Sequence, residues 1–226
     1  KFSQLGDLFL KVLLHCKHNG AIEKSQVGFA LTCKRLLSCD LPNLAKLPSN
    51  WLQYLLDRIA TSDDKNSILR RSAGVPFCFL AILRSEPFGV PRVLLPHTMN
   101  SLMGITETYY ANGCGEHTMV HALNVMRFIF QDSTLAGDVT QYIEKGFITV
   151  LKGFTDPSWY VRNSSLMCYT ALITRSIGNR RTKDDYATQN TVTSREFFSR
   201  YPLLKQYLLD QLRIGVRGRE VQTDRE

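Results

Sequence analysis

Apolar residues recur along this chain at the three- and four-residue spacing of amphipathic α-helices. In the first such segment, the residues expected to share one buried face are Leu5, Leu8, Phe9, Val12, Leu13 and Cys16. A later stripe, preceded by Ser49 as a predicted N-cap, consists of Trp51, Leu52, Leu55, Leu56 and Ile59. No run alternates with the period of two that marks a half-buried strand. The pattern therefore predicts an all-α fold.

The same periodicity predicts further helices over residues 21–38, 66–84, 91–103, 117–130, 139–154, 158–177, 194–200 and 202–212. Two segments are predicted to be loops: residues 104–116, which are rich in Gly, Thr, Tyr and Asn, and residues 179–193, which are polar. After Leu212 the apolar residues become sparse, and we expect residues 213–226 to form a frayed or disordered tail. Because the chain begins at Lys1 rather than Met and enters a helical pattern at once, we expect residues 1–212 to be a segment of a longer protein.

An internal repeat indicates how these helices are arranged. The pattern Asp64-x4-Leu69-Arg70-Arg71-Ser72-Ala73 returns as Asp156-x4-Val161-Arg162-Asn163-Ser164-Ser165 after 92 residues (156 − 64). Two units of about 46 residues fit that offset, at the upper end of the roughly 40–47 residues of a HEAT or armadillo repeat. In such a unit the Asp caps or precedes the second helix, and the Arg reaches an acidic residue of a neighbouring unit. The sequence therefore predicts a HEAT- or armadillo-like helical-repeat solenoid.

Composition narrows the class of protein and its partners. The 226 residues carry a net charge of +8, which favours an acidic partner such as nucleic acid, a phosphoinositide surface or an acidic protein. A local charge imbalance within a larger protein is the alternative. The longest apolar stretches are too short for a membrane span, so no membrane insertion is expected. The six cysteines show no repeated spacing, which favours reduced thiols and a cytoplasmic or nuclear location.

Two basic groups are candidate contacts for nucleic acid or a protein partner. Arg70 and Arg71 precede Gly74 and Pro76, and Pro76 is expected to kink the predicted helix at this point. Guanidinium groups beside a kink suit bidentate phosphate contacts. Alternatively, one Arg serves the Asp–Arg ladder and the other is a solvated surface charge.

The second and denser basic group consists of Arg175, Arg180, Arg181 and Lys183. A mobile basic loop of this kind can follow a nucleic-acid backbone. An ordinary solvated loop is the alternative interpretation.

Other candidate residues favour structural roles. Arg162 is expected to pair with an acidic ladder residue, while Asn163, Ser164 and Ser165 satisfy backbone or neighbouring-helix donors at a tight helix crossing. Cys114, His117 and His121 have a spacing that metal ligands use, but the fourth ligand is absent, so we expect no metal and a hydrogen bond from His121 between repeats.

The chain also carries two adjacent tyrosines, and it shows no residue pattern typical of an enzyme. Tyr109 and Tyr110 either stack on an unpaired base or anchor a long loop. No paired carboxylates and no Ser or Cys beside a His indicate catalysis.

Three motifs occur here in the order found in one known family. They are Arg70-Arg71-Ser72-Ala73-Gly74-Val75-Pro76, His121-Ala122-Leu123-Asn124 and Val161-Arg162-Asn163-Ser164-Ser165-Leu166-Met167, the last followed by Ala171-Leu172-Ile173-Thr174-Arg175. With these motifs the chain closely resembles the thyroid-adenoma-associated protein (THADA) family over residues 64–178.

The resemblance implies a large, non-catalytic α-solenoid that partners a Rossmann-fold ribose methyltransferase. The pair methylates a 2′-hydroxyl in the tRNA anticodon loop, and the solenoid selects and positions the tRNA. S-adenosylmethionine and the catalytic residues belong to the partner in this interpretation, so the chain itself is expected to bind no cofactor. Consistently, Gly113-Cys114-Gly115 lacks the third glycine and the preceding strand of a Rossmann cofactor site. The alternative function is a protein scaffold, for example for a membrane pump or signalling protein, that binds no RNA.

Overall fold

The computed structural model describes residues 1–16, 18–61, 74–87, 89–113, 115–178 and 192–223, with side chains as far as residue 216. Its helices are α1 (Phe2–His15), α2 (Asn19–Leu37), α3 (Pro42–Ala45), α4 (Leu47–Ala60), α5 (Val75–Leu83), α6 (Leu94–Asn112), α7 (Glu116–Gln131), α8 (Ile143–Gly153), α9 (Trp159–Ile177), α10 (Ser194–Arg200) and α11 (Pro202–Thr223). A 3₁₀ turn, Thr140–Tyr142, precedes α8. Over these ranges there is no strand, and the prediction of an all-α fold is confirmed.

The helices form two layers. In the first layer α4 packs beside α6, and α8 packs beside α11. In the second layer α2, α5, α7 and α9 pack side by side in that order. The layers are joined by hairpins in which α4 pairs with α5, α6 with α7 and α8 with α9. Helix α1 lies across one end of this arrangement, against α2 and α5.

Five polar contacts between successive hairpins have similar separations in sequence. They are Gln53–His97 at 44 residues, Arg175–Phe130 at 45, Arg92–Asp138 at 46, Tyr109–Asp156 at 47 and Arg84–Asp132 at 48. These five separations bracket the 46-residue unit that the sequence predicts, whereas Tyr110–Thr149, at 39 residues, is shorter. The first copy of the internal repeat, residues 64–73, lies outside the described residues.

The core runs through the second layer. Helix α5 is buried along its length except at Phe77, and α7 buries nine of its residues. The thiols of Cys33, Cys78 and Cys168 lie inside this core, and burial raises the pKa of each. Within the described ranges, no helix combines the length and the apolar character that crossing a membrane requires.

The predicted buried face of the first helix is partly wrong. Leu5, Leu8 and Val12 are exposed, and α1 instead buries the face that contains Gly6 and Leu10. A Cβ atom at position 6 would lie 1.9 Å from the Trp51 ring, so only glycine lets α1 approach α4 this closely. The contact between Gly6 and Trp51 therefore determines which face of α1 is buried. In α4, by contrast, every residue of the predicted apolar stripe is buried.

The loop predicted over residues 104–116 is also wrong for most of its length. Helix α6 continues to Asn112, and its threonine hydroxyls donate to carbonyls within the helix, as Thr108 Oγ1 does to Gly104 O at 2.9 Å. The Gly, Thr and Asn residues of this segment therefore do not end α6, although its composition predicts a loop. The break comes at Gly113, whose φ of +68° is a left-handed conformation that favours glycine.

Two further boundaries differ from the prediction. Helix α5 begins at Val75, so Pro76 lies in its first turn, where a missing N–H leaves no hydrogen bond unmade, and not in the helix interior, where the sequence predicts it. Helix α11 continues beyond Leu212 to Thr223, although Leu212, Ile214 and Val216 are exposed.

Candidate nucleic-acid interface

The C-terminal ends of α5, α7 and α9 lie along one edge of the stack. Arg84 at the end of α5 pairs with the carboxylate of Asp132 at the end of α7. Arg175 in the last turn of α9 also contacts the end of α7. These three helices therefore point the same way, and their ends bring basic side chains to a common edge. The contact with α2 is earlier in that helix: Ala30 O, seven residues before Leu37, accepts a hydrogen bond from Ser85 Oγ, just beyond the end of α5, at 2.9 Å.

Arg175 joins α9 to α7. Its Nε donates to Phe130 O at 2.7 Å and its Nη2 donates to Asp132 O at 2.6 Å. Carbonyls at the end of a helix have no partner inside it, so these bonds complete the C-terminus of α7. The sequence proposes Arg175 as an RNA contact, and the structure uses two of its donors in this clamp. Arg180, Arg181 and Lys183, grouped with it in the sequence, lie outside the described residues.

The carboxylate of Asp132 is held ionised at this edge. Burial alone would raise its pKa, but hydrogen bonds from Thr134 and Arg84, together with the positive charge of Arg84, outweigh burial and lower the pKa. Thr134 donates from both its backbone nitrogen, at 2.8 Å, and its hydroxyl. Arg84 leaves 43% of its side chain exposed while it makes this pair.

Lys34 and Arg35 lie in the last turn of α2, one turn beyond the Ala30 carbonyl that Ser85 contacts. Both are exposed, and neither makes a hydrogen bond or an ion pair through its side chain with any residue in the described part of the chain. We call Lys34, Arg35, Arg84 and Arg175 the basic edge. Because the side chains of Lys34 and Arg35 keep all their donors available, they are the members best placed to contact phosphates. The sequence shows them only as a basic pair beside an apolar face.

Arg162 does not pair with an acidic side chain. Its Nη1 donates to Asp156 O at 2.6 Å and to Pro157 O at 2.9 Å, which fixes the turn that leads into α9. The Asp156 carboxylate is already occupied, since its Oδ1 accepts bonds from Ser158 N at 2.8 Å and Tyr109 Oη at 3.2 Å. The ladder predicted for Arg162 is corrected accordingly.

The helix crossing predicted beside this motif is present. A Cβ atom at Gly153 of α8 would lie 2.0 Å from Ser165 Oγ, so α8 and α9 meet at a position that glycine keeps open. Ser164 and Ser165 are buried, whereas Asn163 is exposed on the far side of α9. Of the three predicted crossing residues, the structure places Ser165 in the contact and Asn163 outside it, but Ser165 Oγ satisfies no donor among the described residues.

Gly74 and Pro76 start α5 against the backbone of α1. A Cβ atom at Gly74 would lie 1.7 Å from Leu13 O, so this glycine permits a close helix approach. Both residues are buried and have a packing role. Arg70, Arg71 and Ser72 lie outside the described residues, and their proposed role stays a prediction.

The histidines of α7 face the interior. Burial, with the nearby charges of His117 and Arg58, lowers the pKa of His121 to about 4, so its ring is neutral at pH 7. Asn124, one turn later, is half-buried. Across the described residues, no three His, Cys, Asp or Glu side chains are grouped to hold a metal ion, and Cys114 lies outside that set.

Two aromatic pairs have different environments. Tyr109 bonds to Asp156, and Tyr110 Oη donates to Thr149 O at 3.1 Å, so this pair anchors α6 to the next hairpin. Trp159 and Tyr160, at the start of α9, are 61% and 36% exposed. The sequence reasoning missed this second pair, although its place directly after the cap residue Ser158 puts it in the first turn of a helix.

Family models match both parts of the chain. A family model described as THADA/TRM732, DUF2428 matches residues 1–160, and one described as Trm732, C-terminal TPR repeats, matches residues 162–226. The mouse and human proteins named tRNA (32-2'-O)-methyltransferase regulator THADA are 40% identical over 211 residues and 41% identical over 214 residues. Each alignment covers 92% of this chain and 11% of the relative.

A more distant relative gives the same result. The Schizosaccharomyces pombe protein named tRNA (32-2'-O)-methyltransferase regulator trm732 is 31% identical over 217 residues, which cover 93% of this chain and 14% of that protein. The chain thus spans a small fraction of the length of these curated relatives. No solved structure matches it.

Proposed function

Because the chain belongs to the THADA/TRM732 family, we propose that it is part of a non-catalytic regulatory subunit of a tRNA 2′-O-ribose methyltransferase. Family membership carries this proposal, since relatives from mouse to fission yeast bear the name of such a regulator. The subunit binds tRNA and positions its anticodon loop for methylation. The subunit acts in the cytoplasm.

Chemistry and binding are divided between two proteins in this proposal. The methyltransferase, of the Rossmann fold, binds S-adenosylmethionine and supplies the catalytic residues. The family member supplies a rigid surface that holds the substrate in the right geometry, and positioning alone can account for a large part of a catalysed rate.

The fold that provides this surface is a HEAT-like solenoid. Two observations support this: hairpins α4–α5, α6–α7 and α8–α9 stack in two layers, and five of their polar contacts have separations of 44–48 residues. A stack of this kind exposes an extended surface suited to a long ligand. The basic edge and the net charge of +8 support RNA as that ligand.

A protein scaffold that binds no RNA is the second candidate. It is favoured by the large aromatic side chains that remain exposed in the first turn of α9, Trp159 and Tyr160. Exposed apolar surface of this extent indicates contact with protein rather than with phosphate.

The test of the leading proposal is methylation in cells. In the full-length protein, Arg70→Ala with Arg71→Ala should abolish ribose methylation of the anticodon loop, measured by mass spectrometry of tRNA fragments, while protein abundance is unchanged. The matched control is Arg195→Ala with Lys205→Ala, which removes the same charge from two exposed side chains at the other end of the chain. Full methylation in the Arg70/Arg71 variant would remove the assigned role of that motif.

A further inference from the structure

The face of α9 that points away from α7 and α8 is exposed and carries no charge. Its large apolar residues are Trp159, Tyr160, Leu166, Met167 and Ile177, all at least 36% exposed. Between them lie the polar but uncharged Asn163, Thr170 and Thr174. The two arginines of α9 leave this face free, because Arg162 bonds to the preceding turn and Arg175 bonds to α7. An uncharged helix face with this many apolar residues is suited to packing against protein.

Helix α7 shows what such a face does inside the stack. One side of α7 meets α5, where Phe128 contacts Phe77 with ring centroids 5.3 Å apart. Another side meets α9, where the charge of Arg127 acts on the thiol of Cys168. Val120 and Leu123 precede Arg127 by seven and four residues, so helical spacing places all three on the side that faces α9. Val120 is 3% exposed and Leu123 is 0% exposed.

The two helices can be placed in register through their first residues. Helix α7 begins at Glu116 and α9 begins at Trp159, an offset of 43 residues (159 − 116). The same offset takes Phe128, which faces α5, to Ala171, which is 1% exposed and so also faces the interior of the stack.

With that offset, Val120, Leu123 and Arg127 of α7 correspond to Asn163, Leu166 and Thr170 of α9. The first set lies beneath α9, and the second set is exposed. By contrast, Met167 corresponds to Asn124, which remains half-exposed in the completed part of the stack.

We propose that Asn163, Leu166 and Thr170 form the seat of another second-layer helix of the same polypeptide, stacked on α9 as α9 is stacked on α7. The arrangement of α11 identifies this occupant. Helix α11 already takes the next first-layer position beside α8, where Glu144 Oε1 accepts bonds from Leu203 N at 2.6 Å and Leu204 N at 3.1 Å.

Each earlier first-layer helix, α4, α6 and α8, is followed by a second-layer partner, and the described residues contain none for α11. The relatives are long enough to supply one, since the chain spans 11% of the mouse and human proteins. This inference rests on the proposed solenoid and is independent of the role in methylation.

The test compares two neighbouring positions in the full-length protein. Leu166→Cys and Met167→Cys are introduced separately, and the rate of maleimide labelling at that cysteine is followed by peptide mass spectrometry. Leu166 is the more exposed of the two here, at 53% against 38%, so exposure alone predicts that it reacts faster. A stacked helix predicts the reverse: labelling at position 166 is slowed several-fold relative to position 167, without any added partner.

Each other outcome would overturn the proposal. Fast labelling at position 166 that slows only after the methyltransferase is added would make this face the enzyme's docking site. Slowing only after tRNA is added would make it an RNA surface. Fast labelling at position 166 under all conditions would leave the face open, and equally slow labelling at both positions would show a cover that does not follow the register of α9 on α7. Anticodon-loop methylation measured in the same variants separates failure of this inference from failure of the proposed function.

Discussion

At the scale of single residues, the ends of the second-layer helices are held by side chains that act on their neighbours. Asp132 accepts bonds from its own connection through Thr134 and Leu135, and from the previous hairpin through Arg84. A carboxylate buried without such partners would become neutral, because burial disfavours its charge. The pKa of Asp132 is lowered, so these hydrogen bonds and the charge of Arg84 outweigh burial. A lowered pKa is itself a contribution to folding stability.

Asp132→Asn should therefore destabilise the protein in a pH-dependent way. At pH 7 we expect a loss of about 2 kcal/mol, because the buried carboxylate loses charge-assisted hydrogen bonds while the exposure of Arg84 screens part of the ion pair. The native carboxylate stabilises the fold above its unfolded pKa of about 3.9, and this contribution is lost as pH falls through the lower folded pKa. Urea unfolding between pH 7 and pH 3 should show the gap between native and variant narrowing at the acidic end.

Asp138→Asn is the control for this change. Asp138 also pairs with an arginine, accepting from Arg92 Nε at 2.6 Å, but 45% of its side chain is exposed. Exposed pairs contribute about 1 kcal/mol or less. Equal effects of the two substitutions would contradict the role given to burial at Asp132.

At the scale of helices, glycine positions decide how closely neighbouring elements approach. Gly6 lets α1 reach Trp51, Gly74 lets α5 reach the backbone of α1, and Gly153 lets α8 reach Ser165. Close packing of this kind has little room to adjust when the opposing atom belongs to the backbone. Gly74 is the strictest case, because the atom it meets is Leu13 O.

Gly74→Ala should separate α1 from α5. The added methyl group would have to displace a backbone carbonyl, and we expect a cost of about 2–3 kcal/mol, in the upper range for overpacked sites. Thermal unfolding measures the loss, and hydrogen exchange should show its largest increase in α1 and in the first turn of α5.

Gly104→Ala is the matched control and tests a second point. Gly104 lies inside α6, and a Cβ atom there would meet no atom within 4 Å. In a helix this change should stabilise by up to about 1 kcal/mol. A loss of stability at position 104 would instead favour the loop that the composition of residues 104–116 predicts.

These glycine contacts also explain which elements the sequence could predict. For α4 the apolar stripe is confirmed at every position, because periodicity and packing agree there. For α1 periodicity selects Leu5, Leu8 and Val12, but tertiary contact at Gly6 turns the helix to another face. A pattern along one segment carries no information about the distance to its neighbour, so contacts of this kind cannot be predicted from it.

At the scale of the whole molecule, the charge excess and the repeat were both visible in the sequence, but the assignment of single arginines was not. Arg162 and Arg175 belong to recognisable motifs, yet their guanidinium groups bond to backbone carbonyls of nearby turns and helices. Such carbonyls are present at every helix end, so the sequence does not indicate which of them an arginine contacts. Lys34 and Arg35 are exposed and pair with none of the described residues, and the sequence does not show that they lie one turn beyond the contact between α2 and the end of α5.

The last prediction concerns this pair and the salt dependence of tRNA binding by the full-length protein. If Lys34 and Arg35 each contact a phosphate, replacing both by Ala should weaken binding at low salt and reduce the slope of log affinity against log salt by about 1.5. Arg195→Ala with Lys205→Ala removes the same charge from two exposed side chains and should leave the slope unchanged. The same shift in both variants would mean that net charge, and not the basic edge, governs binding. If the native protein binds no tRNA even at low salt, the protein-scaffold alternative is favoured.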